Sequence, residues 1–231
     1  MSRFAAVALA LGACTVDRSI PDPSTCARRT LFVNFDGDTF VPGGHDDPDA
    51  GVSTNVDDTR TIPPYRQDDP TRDATIQMIT DQVTSTLANF PIDVVRTRPD
   101  VPGYHMVMVG GHATDVDPVE GNDLIALGAD NQDCIVGSPS AITFVFADAI
   151  DELNHGAALP EDGNLIIASY AHTKAIPGTT GDPKDCLALQ DGDPTMACRI
   201  DSIGQRDQTA GACGEGSTFD EFGAFALLPC D

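Results

Sequence analysis

Tyr104–Gly111 reads YHMVMVGG, and its pattern decides the class of fold. Behind His105 the residues are apolar at consecutive positions instead of alternating ones. A strand with that pattern must be covered on both faces. Gly110-Gly111 then closes the strand predicted over Tyr104–Val109. Outward from it, Ile142–Phe146 (ITFVF) predicts another buried strand, and Ile92–Thr97 (IDVVRT) and Thr30–Phe35 (TLFVNF) predict two more. Ile76, Ile79, Val83 and Leu87 recur at helical spacing, with Asp69-Pro70 as N-cap and first helical residue. A second helix is predicted over LIIASYAHTKAI (165–176), stopped by Pro177-Gly178. A short one is predicted over Phe219–Leu228. Residues 41–70 and 112–140 read as long Gly-, Pro- and Asp-rich excursions, and DELNHGAALPEDGN (151–164) as a polar link. The order strand, helix, strand, strand, strand, helix implies one α/β domain over residues 30–231. Its sheet is expected to be mixed and mostly buried, flanked by two main helices.

Charge narrows the function classes. The 231 residues include 36 acidic and 13 basic side chains, for a net charge of −23. Phosphate recognition needs a basic footprint, so nucleic acid is not an expected partner. Adhesion to anionic lipid by charge is equally disfavoured. At 41% hydrophobic residues the chain is rich enough to build a core.

The N-terminus reads as an export address. Residues 1–13 (MSRFAAVALALGA) carry one basic residue, Arg3, and an apolar stretch far short of the ~18 residues of a membrane span. Leu11-Gly12-Ala13-Cys14 resembles the bacterial lipobox, which implies cleavage before Cys14 and lipidation of that cysteine. An ordinary secretory peptide with an incidental cysteine is the plainer alternative. Residues 14–29 then read as a polar, proline-bearing tether. The expected location is the bacterial cell envelope, at the outer membrane or cell surface, with the lipid as the membrane contact. Setting Cys14 aside leaves Cys26, Cys134, Cys186, Cys198, Cys213 and Cys230, an even number that suits three disulfides in an exported chain. Six cysteines allow 15 pairings, so the connectivity stays open. Four of the six follow residue 185, which predicts a disulfide-rich C-terminal region.

Catalytic signatures are absent: there is no nucleophile elbow, no phosphate-binding glycine loop and no intact H-E-x-x-H. Ser169 and His172 share a helical face, but no oxyanion motif accompanies them. His45, His105, His112 and His155 show no ligand spacing on a regular element. Asp36, Asp38, Asp46, Asp47, Asp49, Asp191 and Asp193 offer oxygens of the kind Ca²⁺ takes, though none falls in an EF-hand loop. Solvated acidic loops are the favoured reading of them.

The segments LFVNFDG, the helix Asp73–Phe90, YHMVMVGG, ITFVFAD, LIIASYAHTKAIPG and the tail from DPKDC together resemble the metzincin-like secreted zinc peptidases and their lipoprotein relatives. That family places an opening strand and a long helix before a sheet, followed by a helix bearing H-E-x-x-H-x-x-G-x-x-H. Anchored on His172, the motif's first histidine falls at Ala168, its glutamate at Ser169, its glycine at Ala175 and its last histidine at Gly178. The resemblance therefore implies a zinc site that has lost its ligands and its general base. The expected protein is a catalytically inactive, acidic binding or structural domain without zinc or another resident cofactor. Calcium is the one cation its loops would suit. An extended peptide or protein would be its ligand. A zinc peptidase with a different ligand set and a calcium-binding surface module are the alternatives.

Overall fold

The computed structural model describes residues 27–117, 126–127, 140–153, 161–173, 179–180, 184–187, 196–200, 205–206 and 225. In chain order the elements are β1 (Arg29–Asn34), β2 (Asp38–Pro42), β3 (Val52–Ser53), β4 (Arg60–Ile62), α1 (Arg72–Leu87), β5 (Ile92–Val95) and β6 (His105–Val109). There follow α2 (Ala113–Val116), β7 (Ala126–Leu127), β8 (Ile142–Val145), α3 (Ala147–Leu153), α4 (Glu161–His172), β9 (Thr179–Thr180) and β10 (Gln205–Arg206).

The main sheet has five strands in the order β5-β1-β6-β8-β7. The first four run parallel and β7 is antiparallel to β8, so the sheet is mixed, as expected. β6 lies at its centre, with Leu31 beside His105 on one flank and Met106 beside Ile142 on the other. Every residue of β6 is buried.

Strand alternation sends the apolar residues to two separate cores. On one face Leu31, Val33, Val107, Val109 and Val145 pack with Ile76, Ile79, Val83 and Leu87 of α1 and with Ile166, Ile167, Tyr170 and Ala171 of α4. On the other, Phe32, Met106, Met108, Ile142 and Phe144 pack with Phe40, Val56 and Ile62. Both main helices therefore cover the same face. The opposite cover is a three-stranded sheet, β3-β2-β4. Residues 41–70 thus differ from the surface excursion expected of them. Their buried residues Val56, Ile62 and Tyr65 stand singly among Pro, Gly and Asp, without the period that marks an element.

Three boundaries also move. The first helix begins at Arg72 and not at Pro70, because Asp69 serves the turn before it: its carboxylate accepts the Thr71 N–H and hydroxyl, both at 2.7 Å. The Thr71 backbone donor holds the Asp69 carboxyl below its ordinary range. The polar link beginning at Asp151 carries the end of helix α3, and α4 starts at Glu161, four residues earlier than the apolar run suggests. Ala147 and Ile150 of α3 are one helical turn apart and both join the helix-side core. Within the long loop after His112, Ala113–Val116 is helical and Ala126–Leu127 pairs with β8. Of the short C-terminal helix, Phe225 alone is described: it is helical, and its ring lies 5.2 Å from that of Phe90.

One disulfide is described, Cys186–Cys198, with both residues buried. The remaining candidates, Cys26, Cys134, Cys213 and Cys230, lie outside the described residues, as does Cys14. Asn164 of α4 holds this bridge in place, accepting the Cys198 N–H at 2.9 Å and donating to the Met196 carbonyl at 2.9 Å. Removing the bridge by a paired Cys186→Ala and Cys198→Ala substitution should cost about 2–3 kcal/mol through the freed unfolded chain. Denaturation midpoints of the two proteins would show it; equal midpoints would mean that Asn164 alone secures the segment.

Candidate functional site

Helix α4 places Ala168 and Ser169 in the interior, 0% and 8% exposed. Ala168 offers only a methyl group and Ser169 only a hydroxyl, at the two positions that the metzincin resemblance assigns to a zinc-binding histidine and a general-base carboxylate. The Ser169 carbonyl accepts the Thr173 N–H at 3.3 Å, continuing the helical turn. His172 is the last helical residue. Ala175 and Gly178, the positions of the motif's glycine and last histidine, lie outside the described residues.

The other histidines scatter. His105 is buried at the start of β6, its Nδ1 3.4 Å from the Thr173 hydroxyl and its ring edge-on to Tyr170. His112 lies 3.4 Å from Glu152. His45 is exposed, and His155 is outside the described residues.

The acidic loops serve as staples. Asp46 accepts the Thr54 N–H at 2.7 Å and the Ile142 N–H at 2.9 Å, tying the small sheet to β8. Asp47 accepts the N–H groups of Asp49 and Ala50. Asp38 pairs with Arg98, and Asp36 with Arg72 at 2.8 Å. Asp191 and Asp193 lie outside the described residues. Among the described residues, no three His, Cys, Asp or Glu side chains are grouped as a metal site.

The structure assembles a polar cluster that sequence reasoning missed. It lies beyond the carboxyl ends of β1, β6 and β8, where Tyr65 and Arg66 meet α3 and the first turn of α4. The Tyr65 hydroxyl donates to Asp162 Oδ2 at 3.0 Å. Arg66 grips Asp151 with both arms of its guanidinium, at 2.5 Å each, and reaches Asp69 at 3.2 Å. Asp148 accepts the Gly111 N–H at 2.6 Å and the Arg66 N–H at 3.4 Å. Two features of the backbone permit this approach. Gly110 has φ of +134°, and a Cβ there would stand 3.0 Å from the Pro63 carbonyl and the Tyr65 nitrogen. Arg66 itself has φ of +47°, a left-handed conformation that is costly for a non-glycine residue.

Burial governs the electrostatics of this cluster. Asp162 is 1% exposed, and its Oδ1 has no hydrogen-bond partner among the described residues. Desolvation, reinforced by the charge of Asp151, pushes its carboxyl up to about 7, against the pull of the Tyr65 hydrogen bond and Arg66. Desolvation and then the charge of Asp162 drive the Tyr65 hydroxyl upward as well. Asp148 is raised by burial and drawn back by the two N–H groups it accepts. A carboxyl titrating near neutrality is the usual mark of a general acid or base. Here the carboxyl and the Tyr65 side chain bonded to it are both buried, 1% and 0% exposed.

The scattered residues Tyr65, Asp151 and Asp162 share no spacing that a sequence reveals. The one signal available was Tyr65-Arg66 itself, an aromatic and a scarce cation in an acid-rich stretch. No helix among the described residues is long and apolar enough to cross a membrane. Comparison with protein-family models and with curated proteins finds no match to this chain.

Proposed function

We propose that this chain is an exported, lipid-anchored envelope protein whose α/β domain binds a peptide or protein ligand on a metzincin-like framework without a working zinc site. The carrying observation is the interior of α4: Ala168 is buried and has no donor atom, and Ser169 beside it has no carboxylate. A hydroxyl is protonated at neutral pH and does not take the proton from zinc-bound water. The order of elements supports the framework. An opening strand β1 and the long helix α1 precede the remaining strands of the main sheet, and α4 follows the last of them. The Cys186–Cys198 bridge suits an oxidising compartment. An extended ligand would add to the main sheet at an edge such as that of β7.

Two measurements on one expression test the proposal. In a bacterial host, Cys14→Ser should move the protein from the membrane to the soluble fraction or leave its precursor uncleaved. The purified, oxidised chain should bind no stoichiometric zinc and leave peptide libraries uncut. Chelator-sensitive cleavage abolished by His172→Ala would instead establish a zinc peptidase with a different ligand set. Normal processing and membrane association of the Cys14→Ser protein would remove the lipid anchor from the proposal.

A further inference from the structure

The Tyr65–Asp162 hydrogen bond joins the segment 63–69, which leads out of the small sheet, to the first turn of α4. Among the described residues, several groups bear on the carboxyl. Tyr65 and Arg66 come from the segment, Asp151 from α3, and Glu161 from α4 itself. From α1, the charged Arg72 donates to the Tyr65 carbonyl at 2.7 Å, and the neutral amide of Gln82 lies against Gly163. Arg66 is already committed to Asp151 and Asp69. An ionised Asp162 would therefore face Asp151 with one hydrogen bond, from Tyr65, and a bare Oδ1 out of reach of water. A protonated Asp162 keeps that hydrogen bond and adds no charge to the interior.

We propose that Tyr65 and Asp162 form a proton-loaded latch, which holds the 63–69 segment against α4 while the carboxyl carries its proton and loosens as the carboxyl ionises. The direction follows from linkage. When the segment lifts, Asp162 meets water and releases its proton at the ordinary carboxylate range; when it is closed, release is delayed to about 7. Closure is thus strongest at the acid end of that interval and weakens as pH rises through it, reaching a constant, looser level above neutrality.

Hydrogen exchange on the oxidised full chain, corrected for the intrinsic rate at each pH, reads the latch directly. The reporters are the N–H groups of Tyr65, Asp69 and Arg72, which donate to the Phe35, Arg66 and Asp69 carbonyls. Their protection should fall on the order of 50-fold between pH 5 and 7.5, while the β6 and β8 amides hold theirs. Asp162→Asn should flatten this dependence. Tyr65→Phe removes the donor that favours the anion, so its loosening should continue to higher pH than in the parent protein. This variant keeps the test open should Asp162→Asn fail to fold. Constant protection of the three reporters in the parent, an unchanged slope in Asp162→Asn, or an unchanged window in Tyr65→Phe would each overturn the latch.

Discussion

Arg66→Met should cost this protein about 3–5 kcal/mol at pH 7, the largest effect expected of any charged residue described. The guanidinium and the Asp151 carboxylate are 10% and 11% exposed, so solvent screens their pairing little. Methionine keeps an apolar stem but gives up the guanidinium over the Tyr65 ring and leaves Asp151 buried without its cation, close to Asp162. The loss comes from this abandoned charge more than from the lost attraction. Replacing both partners, Arg66→Met with Asp151→Leu, should therefore recover most of it, since matched apolar groups avoid the desolvation cost altogether. Urea denaturation of the parent, both single variants and the double variant closes the cycle. Additive losses in the double variant would show that Arg66 acts through the left-handed backbone and Asp69, not through Asp151.

Phe144→Ala should cost a similar amount, about 3–5 kcal/mol, by leaving a cavity between the two sheets. Phe144 is fully buried on β8, edge-on to Phe40 at 5.1 Å and stacked near Phe146 at 6.4 Å. Phe40 is the one buried residue of β2, so its ring is that strand's hold on the main sheet. The substitution should accordingly lower the denaturation midpoint and speed proteolytic cleavage within residues 38–62 before cleavage of α1 or β6. Phe144→Leu, which refills most of the space, should cost roughly half as much. Cleavage beginning elsewhere, with 38–62 still protected, would mean that Asp46 and its bonds to Thr54 and Ile142 hold the small sheet without Phe40.

The parent protein and Arg66→Met should also differ in how stability follows pH. Asp162 is raised in the folded state, so its contribution is present below the ordinary carboxylate range and is lost as pH climbs to about 7. Removing Arg66 takes away a charge that favours the anion, and should extend that decline to higher pH.

How much of this was legible in the residues depends on the range of the physics. The strands around β6 were readable because consecutive apolar residues allow no exposed face, and α1 because Ile76, Ile79, Val83 and Leu87 repeat at 3.6. The α4 positions Ala168 and Ser169 stood out only through the resemblance, which assigns them motif positions counted from His172. The extent of α3 was less plain: its two core residues, Ala147 and Ile150, are outnumbered by Asp148, Asp151 and Glu152 in seven residues.

The sequence by itself determined an acidic α/β chain with a buried mixed sheet, a long amphipathic helix and no intact catalytic motif, because composition and local period are properties of neighbours along the chain. Only the tertiary structure decided that the Pro- and Asp-rich stretch after β1 would be the second cover of the sheet, and that Tyr65 would meet Asp162 across 97 residues. A pairing at that separation has no periodic trace, and the shift of Asp162 toward neutrality arises from desolvation, which exists only once the surrounding segments have closed over it.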